Sequence, residues 1–308
     1  MKDKRIENII FESDNYKFLA PSFEQGEIAS SMIFASDDEL LNDGLLEALL
    51  KKFYCKNVEG DKPCSDCIEC SKIENKTHID VTYFGDGDVS LRKDEIKVLI
   101  DNAITKPFET LHKFLIVKNG EKLSDIAQNV LLKTLEDLPS FVTVIILTKS
   151  LAKILPTILS RCQVVQLKPL EKKEVIKLLG SNERAIHIAE ASDGVLSTAV
   201  MYASKSDEFD KDYKFAISLV LGFASSAEMA EKAAYLLNKK DRLKETICII
   251  QSVFYMALKD RINVLLDKRT IAKCVRLCDE CISMIDKSVL KNIIVDYLLM
   301  NILKYKCL

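Results

Sequence analysis

No apolar run in the sequence approaches the ~20 residues that cross a bilayer. No signal-peptide core follows the charged opening Met1-Lys2-Asp3-Lys4-Arg5, so a cytoplasmic protein is expected. Excess charge is also missing: 44 Lys and Arg face 46 Asp and Glu, a net charge of −2. No global basic field therefore marks nucleic acid as a sole partner. Proline is absent from the last third of the chain, which leaves helix interiors there uninterrupted. There is no internal repeat and no low-complexity tract. The most telling absence is local. A phosphate-binding loop needs glycines, so that backbone N–H groups can approach phosphates, and a lysine to meet their charge. The strand-to-helix turn placed to be that loop reads Ser36-Asp37-Asp38-Glu39-Leu40-Leu41-Asn42-Asp43. It holds no lysine, its first glycine comes only at Gly44, and its acids would repel a triphosphate.

What is present is an ordinary globular composition, 48% apolar and 29% charged over 308 residues, with room for about two or three domains. Phe18 to Phe53 reads as helix, strand (Ser31 to Ala35), polar loop (Ser36 to Gly44) and amphipathic helix (Leu45 to Phe53). Further strands are expected at Ile79 to Phe84, Lys113 to Val117, Val142 to Leu147 and Val164 to Leu167. Helices are expected at Arg92 to Ile104, with Ile96, Leu99, Ile100 and Ala103 on one face, and at Asp125 to Leu135. Strands alternating with helices imply an α/β fold: a parallel sheet with helices on both faces. After Pro169 the strand signals fade. Leu170 to Ser204 reads as a small helical unit with a turn at Asp193-Gly194. Helices then follow at Phe209 to Phe223, Ala227 to Leu237, Asp241 to Leu265, Ile271 to Ile285 and Lys287 to Leu303, the pattern of a bundle.

Cys55, Cys64, Cys67 and Cys70 are spaced C-x8-C-x2-C-x2-C. Four thiolates suit a closed tetrahedral zinc site, which leaves no open position for substrate and is therefore structural. An iron–sulfur cluster uses the same ligands. Cys274, Cys278 and Cys281 have the C-x3-C-x2-C spacing of radical SAM enzymes. That spacing is also one face of a helix, and a buried core face is expected.

The strand from Lys113 should end in acidic residues if it held Mg²⁺, but it runs Val117-Lys118-Asn119-Gly120. Lys118, at a lost acidic position, is expected to fill the vacant pocket rather than face solvent. Leu155-Pro156-Thr157-Ile158-Leu159-Ser160-Arg161-Cys162 places one arginine at the end of a short helix after a buried strand. Taken alone, such an arginine most often makes a weak surface ion pair. Lys51, Lys52 and Lys56 read as a solvated face.

The segment from Lys113 to Leu170 closely resembles the clamp-loader subunits of the AAA+ class. Asn129 to Pro139 resembles that family's NALLKTLEEPP segment, and Ile154 to Gln163 its LLPTIxSRCQ segment. The four-cysteine spacing is that of its zinc module, and His78-Ile79-Asp80-Val81 resembles its HPDV segment. The resemblance covers most of residues 20–170; the helical remainder matches only in pattern. It implies an AAA+ core at residues 1–168 with an inserted zinc module at 55–70, a helical lid at 169–205 and a helical collar for oligomerisation at 206–308. The family's phosphate-loop glycines fall on Ser36 and Leu41, its lysine on Asn42 and its Ser/Thr on Asp43. Its Mg²⁺-binding acids fall on Lys118 and Asn119, its first sensor on Thr148 and its second sensor arginine on Ser197. These departures imply no ATP turnover and no ATP bound in cis.

The resemblance further implies an assembly role in the DNA polymerase III holoenzyme, a DNA-directed DNA polymerase. The partners would be gamma- or tau-type and delta subunits in a heteropentamer that places a sliding clamp on primed DNA. Arg161, with Ser160 and Cys162 beside it, would be a trans-acting arginine finger at a neighbour's ATP. The alternative is an ATP-binding gamma- or tau-like clamp-loader ATPase.

Overall fold

The computed structural model describes residues 4–58, 60–85, 93–222, 226–239, 242–264 and 266–306. Met1 to Asp3, Arg92, Phe223, Asp241, Leu265 and the side chain of Ile96, all used in the sequence reading, lie outside them. The chain divides between Leu170 and Glu171 into two compact units.

The first unit runs α1 (Lys4–Glu12), α2 (Asp14–Gln25), β1 (Ser31–Ala35), α3 (Glu39–Tyr54), α4 (Ile68–Glu74), β2 (Val81–Phe84) and α5 (Lys93–Ile104). It continues with β3 (Lys113–Val117), α6 (Asp125–Glu136), β4 (Val142–Thr148), α7 (Pro156–Leu159) and β5 (Gln163–Gln166). The strands form one five-stranded sheet in the order β2-β3-β4-β1-β5, parallel at every pairing. Strands buried on both faces read as unbroken apolar runs rather than alternating ones. That explains why every residue of β1, β3 and β4 is buried. Leu115, Val117, Val144 and Ile146 pack with Leu131 and Leu135 of α6 and Leu99 of α5. On the opposite face, Phe114 stacks on Phe23 of α2 and meets Phe53 of α3 edge-on. The register sets Ala35 opposite Thr148 and Val117 opposite Ile146. The ends of β1, β3 and β4 therefore share one edge of the sheet, where open α/β sheets place their sites.

Two local expectations change. The polar stretch Ser36 to Gly44 is not a loop throughout, because α3 begins at Glu39. Asp38 is its N-cap, its carboxylate accepting the Leu41 N–H at 3.2 Å, and Glu39 favours the positive end of the helix dipole. Gly44 thus lies inside α3, where a Cβ would overlap Ile10 of α1. Lys51 and Lys52 are not solvated either; they are 1% and 3% exposed. Lys51 Nζ lies 2.7 Å from Glu7, 3.1 Å from Glu47 and 3.8 Å from Glu74. Lys52 Nζ meets Glu24 at 3.1 Å and the Gly60 carbonyl at 3.2 Å. These ammonium groups fasten α1, α2 and the cysteine segment to α3. Lys56 is exposed, as expected.

The second unit is helical throughout its described residues: α8 (Lys172–Leu179), α9 (Glu183–Ser192), α10 (Leu196–Ser204), α11 (Ser206–Leu221), α12 (Ser226–Leu237), α13 (Leu243–Leu258), α14 (Lys268–Asp286) and α15 (Lys291–Lys306). Asp193 and Gly194, both at positive φ, turn the chain between α9 and α10. Asp212 of α11 is fully buried and is met by Tyr235 and Lys239, and by Arg242 and Thr246. Cys274, Cys278 and Cys281 lie on one face of α14, all fully buried. Burial drives the Cys281 thiol up to about 12 and raises that of Cys278 well above its usual value, so these two thiols stay protonated near neutral pH. Among the described residues no helix is long and apolar enough to cross a membrane.

Candidate functional site

The sheet edge carries a cleft lined by Asn42, Asp43, Lys118, Asn119, Glu121 and Thr148, with Glu39 and Lys149 at its mouth. Most of its groups pair with one another, although the buried Asn42 Oδ1 has no hydrogen-bond partner among the described residues. Lys118 is 8% exposed, and its ammonium lies 2.7 Å from Asp43 Oδ2. It fills the pocket, as the sequence reading expects. Asn42 donates from Nδ2 to the Ser36 carbonyl at 3.0 Å. Thr148 is buried and donates to Glu121 Oε2 at 3.1 Å, and the same oxygen accepts the Lys149 N–H at 3.0 Å. Lys149 Nζ pairs with Glu39 at 2.8 Å. That hydrogen bond holds the Glu39 carboxyl below its usual range and Lys149 above its own.

The space left inside is about 20 Å³, room for one water-sized molecule. Small-molecule sites begin at ~300 Å³. The end of α3 that would face an anion is capped by Asp38 of the same chain. Of the positions aligned with a phosphate loop, Asn42 and Asp43 line the cleft and Ser36 is bonded to Asn42. Leu41 is fully buried in the core instead. Asn119 holds φ 52° and donates to the Gly85 carbonyl at 2.9 Å. Ser197 lies in α10 of the second unit.

Arg161 follows α7. Its guanidinium is 40% exposed, lies 2.7 Å from Glu136 Oε1 and donates to the Thr157 carbonyl at 3.1 Å. Its own carbonyl accepts the Ser31 hydroxyl at 2.8 Å, which ties the backbone to β1. Ser160 is exposed; Cys162 is buried, and burial raises its thiol. The brace behind Arg161 is Gln128 of α6, a residue the sequence reading passes over. It is 1% exposed. Its Nε2 donates to the Leu123 and Lys153 carbonyls at 3.2 and 3.0 Å, and its Oε1 accepts the Leu155 N–H at 2.7 Å. One carboxamide thus joins the loop after β3, the loop after β4 and the start of α7. The sequence does not single out Gln128, because its partners Lys153 and Leu155 lie 25 and 27 residues away.

The four cysteines converge. Their Sγ atoms lie within 4.8 Å of one another, with Cys55 and Cys64 3.5 Å apart. A tetrahedron with Zn–S bonds of 2.3 Å has edges of ~3.8 Å, so the donor set fits. Cys55 caps the end of α3, and Cys67 caps the start of α4. The Cys64 and Cys70 N–H groups point at the Cys55 and Cys67 sulfurs, at 3.4 and 3.5 Å. Burial raises the Cys55 and Cys70 thiols. At Cys67 burial opposes ionisation too, but hydrogen bonds from the Cys70 amide and the neighbouring thiols prevail and lower it to about 7. Ionisation is thereby easier at Cys67 than at Cys55 or Cys70. Among the described residues, Glu69, His78 and Glu109 also converge. Lys72 supplies a cation there, 2.6 Å from Glu109 and 3.6 Å from Glu69.

Residues 11–171 match the family described as DNA polymerase III, delta subunit. The delta' subunit of DNA polymerase III from Bacillus subtilis is 27% identical over 198 residues, covering 63% of this chain and 59% of that one. A gamma subunit from Buchnera aphidicola is 32% identical over 133 residues, covering 43% and 36%. The chain thus spans about three fifths or less of the length of these curated relatives. A DNA polymerase III gamma-subunit-related protein from Thermotoga maritima shares the fold, with a TM-score of 0.52 at 16% identity over 95% of this chain and 100% of that one.

Replacing Gln128 by Leu is expected to destabilise the protein by about 2–4 kcal/mol, because it orphans the Leu155 N–H and leaves the Leu123 and Lys153 carbonyls without that donor. Urea denaturation checks this; an unchanged midpoint would mean that the amide carries no strain-free load at this junction.

Proposed function

The chain belongs to the DNA polymerase III delta-subunit family, and on that premise we propose that it is a delta-prime-type clamp-loader subunit without ATPase activity of its own. In this reading it works in a heteropentamer with gamma- or tau-type and delta subunits that loads a sliding clamp onto primed DNA. It lends Arg161 to the ATP site of the adjacent gamma-type subunit. One observation carries the proposal: the cleft where this fold would hold phosphates is closed by the Lys118–Asp43 pair, while Arg161 stands half-exposed on a braced turn. The same closure argues against the gamma- or tau-like ATPase reading.

The chemistry asked of Arg161 is stabilisation of charge that spreads over the transferring phosphoryl group. A trans arginine contributes ~10³–10⁵ in rate in such systems. Its planar fork gives bidentate contact that lysine cannot reproduce. Ser160 and Cys162 flank it with different tasks. Cys162 anchors the turn in the core, and Ser160 donates to the Thr157 carbonyl at 3.0 Å. Residues 169–205 would act as the lid, and 206–308 as the collar that holds the subunits together. Cys55, Cys64, Cys67 and Cys70 would hold a structural Zn²⁺, which fixes the short module between α3 and α4 and takes no part in hydrolysis.

In a complex reconstituted with gamma-type and delta subunits, Arg161→Ala should lower clamp- and DNA-stimulated hydrolysis at one site by ~10³-fold or more while assembly survives. Arg161→Lys should not restore it. Unchanged hydrolysis and clamp loading would sink the finger. For the cysteine module, elemental analysis should find about one zinc per chain, and chelation should lower the melting temperature. Purified protein with no metal, and a melting curve indifferent to chelator, would remove zinc from the account.

A further inference from the structure

The guanidinium of Arg161 already has a partner on its own chain. Glu136 Oε1 lies 2.7 Å away, and the Thr157 carbonyl accepts a second N–H at 3.1 Å. Glu136 is the last residue of α6, and Asp137 follows as its C-cap. Helix carbonyls concentrate partial negative charge at that end, so an unpaired carboxylate is disfavoured there and a cation is welcome. The pair is nevertheless easy to open. Both side chains keep substantial solvent contact, 40% and 43%, and exposed ion pairs are worth little. A triphosphate outbids one carboxylate because it carries more charge and offers paired oxygens to the guanidinium fork.

We propose that Glu136 is a positioning residue that holds Arg161 retracted against its own chain, so that the finger engages a neighbour's phosphates only by exchanging Glu136 for them. This rests on the trans-finger reading of Arg161. Glu136 then sets a threshold: hydrolysis at the neighbouring site carries the cost of opening the pair. Removing the carboxylate lowers that cost while Gln128 still holds α7 in place.

The test is steady-state ATP hydrolysis by the reconstituted complex without clamp or DNA, comparing wild type, Glu136→Gln, Arg161→Ala and the double variant. Glu136 ends a helix at the surface, so Glu136→Gln should fold normally; the melting temperature of each variant checks this. Glu136→Gln is expected to raise kcat/KM by about two- to five-fold, the factor that an exposed ion pair represents. The gain should shrink as salt is raised and vanish in the Arg161→Ala background. A merely structural Glu136 would produce the same change with or without Arg161, which would overturn the proposal. A Glu136→Gln rate at or below wild type, with Arg161→Ala impaired, overturns the latch and leaves the finger standing. Arg161→Ala equal to wild type overturns both.

Discussion

The buried carboxamide of Gln128 is the point on which the functional edge of the sheet depends. It spends both hydrogens and an oxygen lone pair on backbone groups from two separate stretches of chain. One follows β3; the other follows β4 and leads into α7. Because the amide is 1% exposed, no water competes for these bonds, and each broken one would leave an unsatisfied group. The loop after β3, the loop after β4 and the arginine turn are therefore held as one piece. If Arg161 acts as the proposed finger, it gains from being built on a fixed element rather than on a free loop.

Around that brace, charge has been rearranged without being lost. A catalytic phosphate site sets a lysine on the loop and acids on the strand. Here the acid, Asp43, lies on the helix and the lysine, Lys118, follows the strand. The pair balances charge within the cleft and fills much of its space. Asp38 does the same at the helix start, where its carboxylate takes an N–H that an anion would otherwise meet. Arg161 lies at the other end of the sheet, before the start of β5 and bonded through its carbonyl to Ser31 at the start of β1, and its half-exposed guanidinium meets a solvent-screened carboxylate and the Thr157 carbonyl. Under the proposed function, the neutral cleft and the outward guanidinium at opposite ends of the sheet divide the labour between them.

Much of this was legible in the sequence, for identifiable reasons. β1 and β3 fall where their apolar runs predicted, because strands buried on both faces leave unbroken hydrophobic signatures. The cysteine cluster was legible because thiol ligands have few other reasons to sit three apart. The core face of Cys274, Cys278 and Cys281 followed from helical spacing. What stayed hidden depends on partners distant in sequence. Lys51 and Lys52 look like solvated lysines until Glu7, Glu24 and Glu74 arrive from other helices. Gln128 looks like one polar residue among many until the Lys153 carbonyl and the Leu155 amide meet it. The early start of α3 was missed because Asp38 reads equally as a loop acid and as a cap.

The central claim is that this chain serves a nucleotide site it does not possess. Calorimetric titration of Mg-ATP into the isolated full-length chain tests it most directly. The account predicts no binding heat, because Lys118 and Asp43 already occupy the cleft and one another. Saturable binding of micromolar affinity would contradict it.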